Sequence, residues 1–254
     1  MHEIQLHEEN CFITLTYDDE NMPDDYSLQK QDFQNFMKRL RKDIAPRKVR
    51  YFMCGEYGDE TWRPHYHAII FNYSFPDKLR VQMKEALNPY YISQQLTSLW
   101  PYGYHIIAEA NFDTAAYVAR YCTKKLTGNN EDYYGRTITD WNEVTGEITY
   151  YKEVQLEKEY STSSKRPAIG KEWYERFKSD CYPSDFIIVD GRKVPIPKYY
   201  DKLCEEEDSF TITQQKAKRK IQAMLNHKEN TLARLRTRED CKEAQLKSLS
   251  RSKI

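Results

Sequence analysis

Short apolar runs separated by one amphipathic stretch open the chain, and this pattern predicts strands around a helix. Residues 11–17 and 49–54 are rich in β-branched and aromatic side chains, as strands are. Between them, apolar residues recur at helical spacing up to Asp43, and they are Leu28, Phe33, Phe36, Met37 and Leu40. Ser27 is the predicted N-cap of this helix, and Pro46 follows its end.

The next stretch predicts a sheet completed by further strands and helices. Residues 55–64 contain glycines and a proline and predict a hairpin loop, and residues 65–71 predict a strand. Residues 77–99 are expected to be mostly helical with a break near Pro89, and residues 104–107 to form a short strand. A helix capped by Asp113 or Thr114 should then run to Lys125. This order predicts an α+β fold, an antiparallel sheet packed on helices in a split βαβ arrangement.

The pattern changes after residue 128, which suggests three divisions of the chain. Residues 1–128 are predicted to form the main domain, and residues 129–180 a polar, partly β accessory segment that continues it. Residues 181–254 are predicted to be a C-terminal extension, mostly charged helix, because residues 210–254 contain no glycine or proline.

Charge is balanced overall but is distributed unevenly along the 254 residues. Residues 38–50 carry seven basic side chains against one acidic side chain, and basic residues dominate again from Lys216 onward. Local fields rather than net charge govern phosphate binding, so Arg39, Arg41 and Lys42 are candidate DNA contacts. A solvated helix end is the alternative interpretation of the same residues.

The cysteines and the hydropathy pattern point to a reducing compartment. None of the six cysteines stand at the C-x-x-C spacing of a zinc knuckle. The sequence shows no signal peptide and no apolar run of membrane-spanning length. These features predict a cytoplasmic protein with free thiols and no membrane partner.

Two histidines in the predicted strand 65–71 are candidate metal ligands. His65 and His67 are two apart and so point to one face of a strand, while Tyr66 points to the other. Two imidazoles and a carboxylate suit a divalent cation and leave positions open for substrate oxygen. Glu56 is the candidate third ligand and Glu60, deeper in the loop, is its rival. A solvated or hydrogen-bonded histidine pair is the alternative to a metal site.

Two tyrosines in the last predicted helix are candidate nucleophiles. Tyr117 and Tyr121 are four apart and share a helix face. Arg120 and Lys124 each follow a tyrosine by three residues, and Lys125 follows Tyr121 by four. A phenol ionises near pH 10, so a nearby cation would be needed to stabilise the phenolate at neutral pH. The alternative is that both tyrosines only pack the helix.

Together these segments resemble the HUH-family endonucleases, and more closely the replication initiation proteins of gokushovirus-type microviruses, which are small single-stranded DNA phages. The resemblance extends over about residues 11–177, in family order. The matching segments are Phe12–Tyr17, Cys54–Gly58, Arg63–Phe71, Tyr117–Lys125 and Arg166–Trp173.

The resemblance implies roles for the candidate residues. His65 and His67 would hold Mg²⁺ or Mn²⁺ with Glu56 as third ligand, in an HUH endonuclease-like fold with residues 1–128 as the catalytic domain. Tyr117 and Tyr121 would be the paired nucleophiles.

Basic residues near these motifs complete the expected site. Lys124 would occupy the basic position that follows the tyrosine in the family, and we group it with the catalytic residues. Arg63, Arg120 and Lys125 are further candidates for contact with DNA.

The implied function is rolling-circle initiation at a phage origin. The protein would nick one strand through a 5′-phosphotyrosine link and later rejoin the displaced strand into a circle. Its partners would be single-stranded origin DNA and host helicase and polymerase in the cytoplasm of the host bacterium. An HUH transposase, a plasmid initiator, a metallophosphoesterase that uses water, and a non-catalytic nucleic-acid-binding module are the alternatives. The oligomeric state stays open.

Overall fold

The structure is a computed structural model that describes residues 1–58, 61–82, 89–123, 134–141, 145–189 and 191–248. The chain divides into two units, Met1–Ile169 and Gly170–Ile254. The functional boundaries predicted after residues 128 and 180 are a different division and stay predictions.

An antiparallel sheet organises the first unit. Its strands follow the order β4-β5-β6-β1-β3-β2-β9, and every pair of neighbours is antiparallel. The strands are β1 Asn10–Tyr17, β2 Arg50–Tyr57, β3 Pro64–Phe71, β4 Leu79–Val81, β5 Tyr90–Ile92, β6 Gly103–Glu109 and β9 Tyr160–Ser163. Because β3 lies between β1 and β2, the unit β1-α1-β2 is a split βαβ, with α1 formed by Lys30–Asp43. The predicted α+β class is confirmed.

One face of this sheet packs on α1 because the apolar positions of both elements match. Alternate residues of β1 point toward the helix and are buried, namely Cys11, Ile13, Leu15 and Tyr17. The helix answers with Phe33, Phe36, Met37 and Leu40, spaced three or four apart. Burying each large side chain contributes roughly 1.5–3 kcal/mol. This face supplies the core of the unit.

Two predictions at the start of the sheet are wrong. Residues 55–57 belong to β2 rather than to a loop, so the connection to β3 is only residues 58–63. The helix begins at Lys30, and Ser27 is not its cap. Ser27 is buried instead, where its hydroxyl lies 3.2 Å from the Tyr57 hydroxyl and accepts a hydrogen bond from the Glu157 N–H at 2.7 Å. Long-range hydrogen bonds therefore replace the local cap.

The prediction of helix across residues 77–99 is also wrong for most of its length. Strands β4 and β5 occupy its first part and middle, residues 83–88 lie outside the described residues, and only Gln94–Leu99 forms a helix, α2. Apolar residues of β5 fit the exposed edge of the sheet as well as a helix face, so periodicity alone misassigned them.

The helix that carries the candidate tyrosines, α3, spans Phe112–Thr123. Its cap is Asn111 rather than Asp113 or Thr114, because the Asn111 Oδ1 accepts from the Thr114 N–H at 3.0 Å. The Thr114 hydroxyl accepts in return from the Asn111 N–H at 2.9 Å, which closes a reciprocal capping pair. Residues 124 and 125 of the predicted helix lie outside the described residues.

A hairpin continues the first unit after α3. It consists of β7, Gly135–Trp141, and β8, Ile148–Gln155, which agrees with the strand predicted near residues 147–154. Tyr134, Val154 and Leu156 bury their side chains in the core on the α1 side of the sheet. The segment therefore helps to close that core.

The second unit is mostly helical, as predicted for the C-terminal extension. Its elements are α4 Lys171–Cys181, β10 Phe186–Val189, β11 Arg192–Pro195, α5 Lys198–Glu207, α6 Ser209–Leu225 and α7 Leu232–Ser248. The hairpin β10–β11 was not predicted. Arg219 joins the unit together by ion pairs to Asp185 and Asp201.

Two further observations concern the whole described chain. No helix among the described residues is both long and apolar enough to cross a membrane. The thiols of the described cysteines are free, as predicted, and these are Cys11, Cys54, Cys181, Cys204 and Cys241.

Candidate active site

The histidine pair lies on the face of the sheet opposite α1. His65 and His67 alternate with Tyr66 along β3, and Tyr66 is fully buried against α1. The Tyr66 hydroxyl accepts from the Gln29 N–H at 2.7 Å and donates to the Gln29 carbonyl at 3.0 Å. Burial is the main reason that the pKa of Tyr66 is raised. The tyrosine between the histidines therefore anchors β3 to the start of α1.

Two threonines of β1 hold the histidine rings. Thr16 lies opposite His65 and Thr14 opposite His67 in the β1–β3 pairing. Each threonine hydroxyl is hydrogen-bonded to the facing Nδ1, at 2.8 Å for His65 and 2.9 Å for His67. The Nε2 atoms are thereby directed away from β1, as expected for imidazoles that use Nε2 as a ligand. The sequence analysis gave these threonines no role, although their spacing of two matches that of the histidines.

Glu56 joins this group from the other neighbouring strand. It lies opposite His65 in the β2–β3 pairing, on the histidine face, and only 4% of it is exposed. Its Oε1 lies 2.6 Å from the Nε2 of His67. Its Oε2 is buried and has no hydrogen-bond partner among the described residues. The predicted rival, Glu60, lies outside the described residues.

His65 stands in a tight and partly desolvated position. A side chain at Gly58 would place its Cβ 2.8 Å from the His65 Nε2, so the glycine provides the space for this ring. Burial lowers the pKa of His65 to about 4, and the nearby His67 and Arg63 act in the same direction. The ring is neutral at physiological pH, which is the form that binds a metal.

Tyr117 reaches the same group from α3, which packs on the histidine face. Its hydroxyl donates to the Glu56 Oε1 at 3.4 Å, a long hydrogen bond. Its ring lies edge-on to His67 with 5.0 Å between the centroids, and edge-on to Phe12 at 6.2 Å. Val118, next along the helix, is fully buried and fixes α3 against the sheet. Tyr117, Glu56 and His67 are thus in mutual contact.

The other predicted catalytic residues fall partly or wholly outside the described structure. Tyr121 belongs to α3, but its side chain and that of Arg120 lie outside the described part. Lys124 and Lys125 lie outside it entirely. Their catalytic and DNA-binding roles stay predictions.

The chemistry of the donors fits a divalent cation, although the side chains are not set out as a finished metal cluster. Two imidazoles and a carboxylate share one face, and the partnerless Glu56 Oε2 is a buried acceptor of the kind that a cation satisfies. The described residues nonetheless include no group of three or more potential ligands already arranged to hold a metal. Because the His67 Nε2 is bonded to Glu56, a cation bound to that nitrogen would replace this hydrogen bond.

The predicted DNA-binding arginines occupy two different places. Arg63 is half-buried near His65, where it donates to the Tyr17 carbonyl at 2.8 Å and pairs with Asp19. Arg39 donates to the Leu99 carbonyl at 2.9 Å, on α1. Arg41 lies over the ring of Tyr51, 5.7 Å from its centroid, and Lys42 is exposed; both belong to α1 as well.

These positions bear on how DNA would be held. Because α1 covers the opposite face of the sheet, its basic end does not share a face with the histidines. Arg63 does lie beside them. Contact of any of these residues with DNA stays a prediction.

Comparison with known proteins identifies the relatives of this chain. The family model for the replication-associated protein ORF2 matches residues 10–126. The chain is 32% identical to replication-associated protein VP4 of Bdellovibrio phage phiMH2K over 94% of its own length and 70% of the relative's. It is 29% identical to replication-associated protein ORF2 of Spiroplasma virus 4, over 83% of its own length and 63% of the relative's.

A third relative extends the same pattern, and the matched region contains the candidate site. Replication-associated protein ORF4 of Chlamydia phage 1 is 28% identical over 86% of this chain and 52% of the relative. The chain therefore spans about half to two thirds of the length of some of these relatives. No solved structure matches the chain significantly. The predicted resemblance to gokushovirus-type replication initiators is confirmed, and the chain belongs to the ORF2 family of phage replication-associated proteins.

Proposed function

We propose that this protein nicks one strand of phage origin DNA and becomes joined to it through a tyrosine. The observation that carries the proposal is the position of Tyr117, whose phenol contacts both Glu56 and His67. A nucleophile, a buried carboxylate and paired imidazoles on one face are the groups that phosphoryl transfer to a tyrosine needs.

The step at Tyr117 is an exchange of phosphodiester bonds. The phenol oxygen forms a bond to phosphorus, the bond from phosphorus to the 3′ oxygen breaks, and the 3′ oxygen leaves and takes up a proton. The products are a 5′-phosphotyrosine and a free 3′-hydroxyl. Mg²⁺ or Mn²⁺ held by His65, His67 and Glu56 would supply Lewis-acid stabilisation of the phosphate charge.

A second tyrosine would allow the same protein to finish the cycle. Tyr121 follows Tyr117 by one turn in α3, so we assign it the second cleavage after a round of synthesis. The freed 3′-hydroxyl would then attack the first phosphotyrosine and close a single-stranded circle. Each exchange keeps one phosphodiester in place of another, so joining requires no nucleotide triphosphate.

The proposal also implies where the protein works and with what. The substrate is unpaired origin DNA, and the 3′-hydroxyl is passed to host helicase and polymerase in the cytoplasm of the host bacterium. The names of the relatives support phage replication over transposition or plasmid initiation.

A covalent-adduct assay tests the proposal. Labelled single-stranded oligonucleotides that tile the viral strand of the encoding genome are incubated with the protein and Mn²⁺, and the products are separated on a denaturing gel. We expect one oligonucleotide to give a protein-linked band that requires Mn²⁺. The band should persist in at least one of Tyr117→Phe and Tyr121→Phe and disappear in the double variant.

Other outcomes would assign a different function. Cleavage without a linked band, unchanged in the double variant, would mean hydrolysis by water. Binding with neither cleavage nor adduct across the whole tiled set would leave a non-catalytic nucleic-acid-binding module. Tyr102→Phe, another tyrosine of the first unit, serves as the matched control and should not change the adduct.

A further inference from the structure

The histidine face of the sheet is covered by α3 on one side and carries exposed apolar side chains on the other. The helix α3 packs on β2, β3 and β9. Toward the opposite edge, Tyr104 on β6 is 68% exposed, Ile92 on β5 is 42% exposed and Leu79 on β4 is 68% exposed. Apolar exposure of this kind on neighbouring strands is a common mark of a binding surface.

The pairing of the strands places these side chains on the histidine face. Tyr104 lies opposite Thr16, and Thr16 lies opposite His65 and is hydrogen-bonded to it. Residues directly opposite each other in antiparallel strands point to the same side. Tyr104 and His65 are thus in one cross-strand row, separated by β1 at a distance of roughly 10 Å, two strand spacings.

Ile92 and Leu79 extend the same surface outward. Tyr91 pairs with Ile107, which belongs to the core on the α1 side, so Ile92 points to the histidine side. Leu79 lies opposite Ile92 and shares its direction. The exposed surface is therefore continuous with the candidate active site through Thr16.

We propose that Tyr104 stacks on a base of the single-stranded DNA next to the scissile phosphate, with Ile92 and Leu79 supporting the neighbouring base. This inference rests on the proposed function, because that function places the phosphate at His65, His67 and Glu56. A strand bound there and leaving toward β6 meets the Tyr104 ring first. A phenol ring stacks on any base and tolerates water when no DNA is bound.

A nucleic-acid occupant fits this surface better than a protein. A stable protein interface uses roughly 20–30 residues from each partner, whereas this surface consists of three side chains in a row. A row that leads away from the candidate nucleophile matches the path of an extended single strand. Tyr104 would then contribute affinity and register rather than chemistry.

The test separates base stacking from phosphate attraction and is run without metal. Fluorescein-labelled oligothymidylate is compared with an oligomer of the same length that has the deoxyribose-phosphate backbone but no bases, both in excess chelator. The full chain is assayed by fluorescence anisotropy together with Tyr104→Ala, Tyr104→Phe and Tyr26→Ala. Tyr26 is a suitable control because it is also an exposed tyrosine, at 44%, in the loop that precedes α1.

We expect Tyr104→Ala to bind oligothymidylate about five-fold or more weakly, the lower end of what loss of one stacked aromatic costs. Its affinity for the base-free oligomer should not change. Tyr104→Phe retains the ring and should bind as the parent does, as should Tyr26→Ala. Thermal unfolding of each variant checks that the fold is intact.

Three outcomes would overturn the inference. Parental affinity of Tyr104→Ala for oligothymidylate would do so, and so would an equal loss on both oligomers, since that would indicate an effect on the phosphates or on the fold. Unchanged DNA binding with a shift in sedimentation would assign the surface to a second copy of the chain. Because no metal is present, failure of the nicking proposal would not affect this result, and the adduct assay stays independent of it.

Discussion

The two faces of the central sheet are built from the same strands but serve opposite purposes. Toward α1, β1 and β3 present Leu15, Tyr17, Tyr66 and Ala68, all of them buried in a continuous apolar core. Toward α3, the same two strands present threonines and histidines bonded to one another. Since successive residues of a strand alternate in direction, one stretch of sequence encodes both faces.

The difference shows how a small sheet can hold a reactive group firmly. The α1 face is apolar, its Tyr66 hydroxyl is fully partnered, and it supplies the stability. The α3 face leaves the buried Glu56 Oε2 without a partner among the described residues, which a structural core would avoid. An unsatisfied buried carboxylate oxygen is tolerable where a ligand is to bind. Substitutions on the two faces should therefore affect different measurements.

The largest effect is expected from Phe36→Ala on the α1 face. Phe36 is fully buried, so the substitution leaves a cavity and should lower the free energy of unfolding by about 3–5 kcal/mol. Urea denaturation measures this loss. The matched control is Phe112→Ala at the 49% exposed start of α3, where we expect little change. Equal destabilisation by both variants would contradict the assignment of the core to the α1 face.

Glu56→Gln should have the opposite profile. The amide has the shape of the carboxylate but lacks its charge, so Mn²⁺ affinity measured by calorimetry should fall more than about 100-fold, beyond the usual cost of losing an outer-shell partner. The free energy of unfolding should change by less than about 1 kcal/mol, since no cavity forms.

The matched control for Glu56→Gln is Glu109→Gln, an exposed carboxylate on β6. It should leave both quantities unchanged. If Glu56→Gln instead destabilised the protein strongly with no change in Mn²⁺ binding, the His67–Glu56 contact would be a structural ion pair.

Thr16→Val should weaken metal binding to a smaller extent. The valine keeps the shape of the side chain but removes the hydroxyl that holds the His65 Nδ1, and loss of such a partner costs about 10- to 100-fold in metal affinity. Thr16→Ser should restore most of the affinity, because it restores the hydroxyl. Thr162→Val, at an exposed strand position, is the control. Mn²⁺ affinity equal to the parent's in Thr16→Val would remove the positioning role.

Tyr66→Phe should have the smallest effect and should be felt on the α1 face. The ring still fills the core, but the Gln29 N–H and carbonyl lose their partner, at a cost of about 1 kcal/mol in unfolding free energy. Tyr73→Phe, which loses a hydroxyl contact to Gln95 nearer the surface, should cost less. A fall in Mn²⁺ affinity in Tyr66→Phe larger than the fall in stability would mean that this anchor also positions the histidines.

Sequence periodicity was sufficient where an element is amphipathic and long. It identified β1, α1, β3 and α3, and it placed the histidines on one strand face and Tyr66 on the other. It failed at residues 79–92, where short apolar edge strands resemble a helix face, and at Ser27, whose hydroxyl serves a distant segment instead of a cap. Such pairings depend on residues far away in the chain and leave no local signal.

The candidate site was predictable to a similar extent. His65, His67, Glu56 and Tyr117 were selected from spacing, and the structure brings Glu56, His67 and Tyr117 into contact. Thr14 and Thr16 were missed because their role depends on the register between β1 and β3. Gly58 was missed because its importance lies in the space it leaves for the His65 ring.

The anchoring of Tyr66 has a consequence for how this chain can change in length. Deleting or inserting one residue inside β3 would exchange the directions of the side chains on one side of the change, so that Tyr66 or its substitute would meet the threonines while a histidine entered the α1 core. Substitutions in β3 can be absorbed one at a time, but a single-residue change in its length cannot. Natural variation in length should therefore be confined to the connection at residues 58–63 and to other turns, with β3 itself inherited as a unit of fixed length.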